Sequence, residues 1–180
     1  MRTNPKTKWI EIGYEWFALD GPQQLRVEVI SKHIGKSKSS FYHHFGDVEG
    51  FTNALLEYHE HRARVIAEQA RSCQQMVPDL LNLLLSVKVD ILFNRQLRIH
   101  RDVAEYKRCF QNSSGLVEEA FLSIWSESLG LGDHIYLARI ILNLTVENFY
   151  LQVTNETLTA DWLKAYLNEI QQMVRAMMQR

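Results

Sequence analysis

The sequence is short of chain breakers and of cysteine, and it has no long apolar run. Only three prolines (Pro5, Pro22 and Pro78) and eight glycines interrupt its 180 residues. With so few breakers, and with alanine, leucine, glutamate and glutamine plentiful, long helices are favoured over many short strands. The two cysteines, Cys73 and Cys109, stand far apart with neither CxxC nor zinc-type spacing. A disulfide framework is therefore not expected, and free thiols in a reducing cytoplasm are. No apolar stretch reaches the ~20 residues that span a bilayer. Glu11 and Glu15 interrupt the first hydrophobic stretch and deny it the core of a signal peptide. The expectation is a soluble, cytoplasmic protein.

Catalytic signatures are missing too. There is no GxSxG elbow, no paired catalytic carboxylates and no Cys/His arrangement. Gly35-Lys36-Ser37 has Ile30 where a phosphate-binding loop needs glycine. The histidines of His43-His44 and His59-Glu60-His61 diverge on a helix instead of converging on a metal. Glu57 and His61, four apart, read as a surface pair. No enzyme activity, cofactor or metal is expected.

What is present is a soluble globular composition, 46% hydrophobic and 23% charged, in a chain long enough for one domain or two small ones. The charge is unevenly spread. Through Gly46, seven cations (Arg2, Lys6, Lys8, Arg26, Lys32, Lys36, Lys38) face four acids (Glu11, Glu15, Asp20, Glu28), on a chain whose net charge is −1. A basic N-terminal quarter on an acidic body points to a locally placed anionic partner.

Periodicity predicts the elements. Trp9, Ile12, Gly13, Trp16 and Phe17 form a helical stripe, closed by Asp20-Gly21-Pro22. A second helix is expected over 25–33, with Val27, Ile30 and Ile34 on one face, before the break at Gly35. Its cap would come from Gln23 or Gln24. Ser37 is the expected N-cap of a short third helix from which Phe41 and Phe45 point together. Two short helices joined by a glycine turn make a helix-turn-helix. Asp47 should cap a fourth helix reaching about Ser72, whose face carries Phe51, Leu55, Tyr58, Arg62, Ile66 and Gln69 and whose second half reads as solvated. Further helices are expected over 80–93 (buried, opened by Pro78), 96–110 (basic), 116–129, 133–153 (capped by Asp133) and from 160 onward (capped by Thr159). Residues 111–115 read as a loop.

The segment from Gly35 to Phe45, with Trp16-Phe17, Gly21, Val27, Ile30 and Phe51 in register, resembles the signature of the TetR family of bacterial transcriptional regulators. The resemblance covers about the first third of the chain. It implies an all-α fold of about nine helices: a three-helix DNA-binding domain (1–46) with a helix-turn-helix, then a larger helical dimerisation and ligand-binding body (47–180). Departures stand beside it: Lys36 replaces an aliphatic residue, Ser39 a glycine, and Val48 a lysine, while Leu25 and Arg26 replace helix-capping hydroxyls. Glu28 on the DNA side would repel phosphates unless it reads a cytosine amine.

Each candidate DNA-contacting residue has a physical role. Ser37, Lys38, Ser39 and Ser40 occupy the N-terminal turn that usually enters the major groove. Lys38 can meet a guanine edge or a phosphate, with Lys36 beside it. Tyr42 and His44 suit phosphates, and Arg26 a backbone or base contact. His43, which faces the groove in the resembling family, is the residue expected to choose sequence. The expected partner is a palindromic double-stranded operator. The family also implies an effector pocket between its fourth and eighth helices, for which Tyr58, Arg62, Phe93, Tyr106, Phe110, Phe121, Trp125 and Asn148 are candidates; the compound is unknown. Ile140, Ile141, Leu144 and Phe149, with Trp162, Tyr166, Ile170, Met173 and Met177, form apolar stripes for a homodimer contact through the last two helices. Together these make a repressor released by a small molecule. The alternative is a helical ligand-binding or interaction protein that has lost operator binding.

Overall fold

The computed structural model describes residues 5–178; Arg2, one of the N-terminal cations counted above, lies outside them. The described residues form nine α-helices and no strand: α1 (Pro5–Asp20), α2 (Val27–Ile34), α3 (Lys38–Phe45), α4 (Val48–Ser72), α5 (Leu81–Ser86), α6 (Lys88–Ile99), α7 (Ala104–Ser128), α8 (Ile135–Gln152) and α9 (Ala160–Met178). Short helical turns, Pro22–Gln24 and Met76–Leu80, precede α2 and α5. Among the described residues no helix is long and apolar enough to cross a membrane. Both cysteines are free, and burial pushes the Cys109 thiol up to about 12.

The chain condenses into two compact units. One comprises the residues up to Arg62 together with Val89–Ser113; the other comprises Ala63–Lys88 and the residues from Ser114 onward. This is a different division from one near residue 46, because the first unit adds half of α4, all but the first residue of α6 and the start of α7 to the three N-terminal helices.

The first unit closes around Trp9, Phe17, Ile30, Phe41, Phe51, Leu55, Phe93 and Leu97, all buried. Burying each such side chain contributes roughly 1.5–3 kcal/mol. The α1 stripe read from the sequence faces this core, and Gly13 lets α1 and α4 approach. A Cβ there would lie 2.3 Å from Phe51 Cζ. The second unit packs Leu80, Leu81, Trp125, Leu142, Leu163 and Val174. Its buried polar tips are satisfied: Trp125 Nε1 donates to the Ala138 carbonyl (3.1 Å) and the Tyr166 hydroxyl to that of Thr145 (2.8 Å).

Helix boundaries in the middle of the chain differ from expectation. The helix expected over 80–93 breaks at Val87 (φ −108°, ψ 31°), and α6 then runs without interruption to Ile99. The loop expected over 111–115 lies inside α7. Its polar residues find partners without leaving the helix. Ser113 Oγ donates back to the Cys109 carbonyl at 2.8 Å, Ser114 Oγ to Glu118, and Asn112 Nδ2 reaches Glu60 Oε1 at 3.1 Å. Gly115 itself lies within the continuous α7. The second half of α4 is not simply solvated, since Ala63, Ile66, Ala67 and Ala70 are buried while Gln69 is exposed. Neither glutamine caps α2; Arg26 is its N-cap, without a side-chain bond. Asp133 does not cap α8, which begins after His134, again without a side-chain bond. Thr159 does cap α9, accepting from the Trp162 amide at 3.3 Å.

Candidate nucleic-acid interface

The α2–α3 hairpin is set by two local devices. Gly35 takes the left-handed conformation (φ 67°) at the end of α2, and the Lys36 amide donates back to the Ser31 carbonyl at 3.0 Å. That is a glycine-terminated helix end, and a side chain at this φ would be strained. Two residues later Ser37 Oγ accepts from the Ser40 amide at 3.2 Å and starts α3. Asp47 Oδ1 accepts from the Gly50 amide at 2.7 Å and starts α4 in the same way.

An aromatic platform fixes which face of α3 looks outward. Phe41 is sealed, meeting Trp9 and Phe51 edge-on at centroid distances of 5.3 and 5.2 Å, and Phe45 meets Phe51 at 4.7 Å. With these two residues held inward, Lys36 and Ser37 before the helix and Lys38, Ser39, Tyr42 and His43 on it are exposed, with Ser40 and His44 half-buried. Tyr42 keeps 48% of its surface while its ring edge rests on Phe41. Arg26, exposed at the start of α2, belongs to the same hairpin. All nine candidate DNA-contacting residues thus lie on the α2–α3 hairpin, and none is in the core. The α3 N-terminus adds its own positive end to this polar face.

Electrostatics temper the picture at one point. Lys38 Nζ donates to Glu28 Oε1 at 2.6 Å, and this bond holds the Glu28 carboxyl below the usual carboxylate range. The two side chains thus answer each other: Glu28 is neutralised, and Lys38 is partly committed.

The eight residues expected to line a pocket are not brought together within one unit. Tyr58, Arg62, Phe93, Tyr106 and Phe110 belong to the first unit, and Phe121, Trp125 and Asn148 to the second. Phe93 is sealed, stacked on Phe17 (4.2 Å) and Tyr14 (4.4 Å), and Tyr58 meets Tyr14 edge-on. Phe121 and Trp125 are core residues of the second unit. Asn148 is exposed, its Oδ1 accepting from Gln152 Nε2 and lying 3.1 Å from the Tyr166 hydroxyl. Of the eight, only Tyr106 lines the open groove of about 970 Å³ between α4 and the start of α7.

Arg62, one of these pocket candidates and half-buried on α4, has a partner in the protein. Its Nε and one terminal nitrogen grip the two oxygens of Asp90 at 2.9 and 2.7 Å. The Tyr14 hydroxyl donates to the same carboxylate at 2.9 Å and lies 2.6 Å from His59 Nδ1. His59 Nε2 is 3.0 Å from Asn94 Oδ1, which lies 2.9 Å from Ser113 Oγ. This buried polar chain ties α1, α4, α6 and α7 of the first unit together. Burial drives the His59 imidazole down to about 4 and the Tyr14 phenol well above its ordinary value.

No protein-family model and no curated protein matches the chain. Among solved structures, a TetR transcriptional regulator from Legionella pneumophila matches over 98% of this chain and 99% of that one, at 14% identity and a TM-score of 0.66. The fold is that of a TetR transcriptional regulator.

The likeness in sequence covers the N-terminal third; the likeness in fold extends it across α4–α9. Within this TetR fold, the residues missed in the sequence are Tyr14, His59, Asp90 and Asn94. His59 sits in a charged stretch, His59-Glu60-His61-Arg62, whose polarity masks its burial. One signal was available: Tyr58, Arg62 and Ile66 share a helical face with Leu55, and His59 lies beside that stripe.

Proposed function

We propose that the chain is a sequence-specific DNA-binding transcriptional regulator of the TetR family, acting as a homodimeric repressor that a small-molecule effector releases from a palindromic operator. The observation that supports it most is the outward polar face of α3, capped by Ser37 and seated on the sealed Phe41 platform. Ser37 to Ser40 enter the major groove, Tyr42 and His44 hold phosphates, and His43 reads bases. Lys38 must exchange Glu28 for a phosphate or a guanine edge. Effector release belongs to the same reading through the family resemblance.

Dimerisation rests on a surface observation. Tyr136, Ile140, Leu144 and Leu151 follow one face of α8 and are exposed, Tyr136 and Leu151 by about 80%. Met173 and Met177 are exposed on α9. Two copies packed on these faces form a four-helix contact.

The Lys38–Glu28 bridge supports a second reading, a helical ligand carrier without an operator. Selection of bound DNA from a random pool separates the two. Enrichment of a palindrome supports the regulator, and no enrichment supports the carrier. On the selected site, Tyr42→Phe and His44→Ala should weaken all sequences about equally, whereas His43→Ala should change preference at one position at a cost of ~1–3 kcal/mol. Variants that bind like the parent would remove α3 as the reader.

A further inference from the structure

We propose that the corner between α6 and α7 is a second phosphate-binding surface, which extends the DNA footprint past the reading head; it rests on the DNA-binding reading above. Between Arg95 and Arg108 the chain places five cations (Arg95, Arg98, Arg101, Lys107, Arg108) against two acids, Asp102 and Glu105. This excess is as large as the one on the first 46 residues, on a chain whose net charge is −1.

The fold puts this corner beside the reading head. Phe17, near the end of α1, stacks on Phe93 of α6 and meets Tyr106 of α7 edge-on at 5.6 Å. Gln23, in the turn leading to α2, lies 3.5 Å from His100 Nε2, and a Cβ at Gly21 would lie 3.1 Å from Gln96 Oε1. Arg26, three residues after Gln23, is one of the candidate DNA-contacting residues. The corner and the start of α2 therefore share one edge of the first unit.

Four of the five cations, Arg95, Arg101, Lys107 and Arg108, carry no ion pair among the described residues. Arg101, Lys107 and Arg108 are exposed. Arg98 lies over the Phe110 ring at 6.0 Å, and burial together with the Arg101 charge pulls its guanidinium below its ordinary value. Like charges crowded on a surface repel unless an anion joins them.

The shape of the cluster selects the anion. The cations spread over the end of α6, the connection and the start of α7. The other charged residues lining the groove that Arg108 borders are Glu49, Glu57, Glu60 and Glu105, so it does not suit a small anion. An extended polyanion beside the reading head fits, and duplex DNA presents one charge per about 1.7 Å of axis.

The test uses the full chain and the selected operator in two lengths, one with about a helical turn of extra duplex on each side and one trimmed to the palindrome. Arg101→Gln/Lys107→Gln removes two exposed, unpaired cations, and Arg101→Lys/Lys107→Arg is the charge-conserving control. Melting curves matching the parent establish that both variants fold. On the long duplex, the slope of log affinity against log salt should fall by about 0.9 for each phosphate that is no longer neutralised, and the control should keep the parent slope. On the trimmed duplex all three should share one slope. An unchanged slope on the long duplex overturns the proposal while leaving the α3 reading intact. An equal fall on both duplexes overturns it too, because the effect is then a diffuse field and not a direct phosphate interaction. A parent that selects no DNA overturns both readings together.

Discussion

Acidification should destabilise the protein through His59 in a window that the structure defines. The imidazole is 1% exposed, packed at 4.6 Å on Phe93, and burial lowers it from 6.5 to about 4. The unfolded chain therefore takes up a proton at His59 that the folded chain refuses, and stability rises with pH between those two values. The sign is that of a depressed base: the contribution is fully present above pH 6.5 and is lost as pH falls towards 4. At about 1.4 kcal/mol per pH unit, the loss attributable to this one group is roughly 2–3 kcal/mol by pH 4.5. Carboxylates titrate in the same range, so the comparison must be internal. His59→Phe keeps a ring against Phe93 and leaves both polar neighbours with partners: the Tyr14 hydroxyl retains Asp90 and Asn94 Oδ1 retains Ser113. Urea unfolding at pH 7 and pH 4.5 should show the variant less stable at neutral pH but losing roughly 2–3 kcal/mol less than the parent on acidification. Parallel losses in the two proteins would refute a neutral buried His59.

Gly13→Ala should destabilise by about 1–3 kcal/mol despite the better helix propensity of alanine, because its Cβ lands on Phe51. Adding Phe51→Leu should recover part of that loss, and thermal melts of the single and double variants check it; additive effects would disprove the clash. Leu144, 68% exposed on α8, should tolerate Leu144→Glu in the fold while converting a dimer to a monomer or an aggregate. Light scattering reads this, and a parent that is monomeric at micromolar concentration removes the dimer proposal.

Local signals make the reading head legible in the sequence. Gly35, Ser37, Phe41, Phe45 and Asp47 act through conformation, capping and four-residue spacing, all of which operate within one or two helical turns. Their consequences follow wherever the rest of the chain lies, so α2, the turn and α3 stand within two residues of where the sequence puts them. The same holds for the end of α4 and for the Thr159 cap. The middle of the chain cannot be read this way. Residues 111–115 carry the composition of a loop, yet they continue α7, with Ser113 and Ser114 bonded within the helix and both buried, and Asn112 reaching across to Glu60 on α4. Val87, an ordinary apolar residue, breaks the helix where no breaker is written. Arg62 announces by its place on an apolar stripe that it needs a partner; whether that partner is a ligand or Asp90, 28 residues away, depends on how α4 and α6 pack. Intrinsic preference decides structure where a residue's strongest interactions are with its own neighbours in sequence. Burial decides it where those interactions come from another helix, and there only the tertiary structure placed His59, Asp90 and the break between α5 and α6.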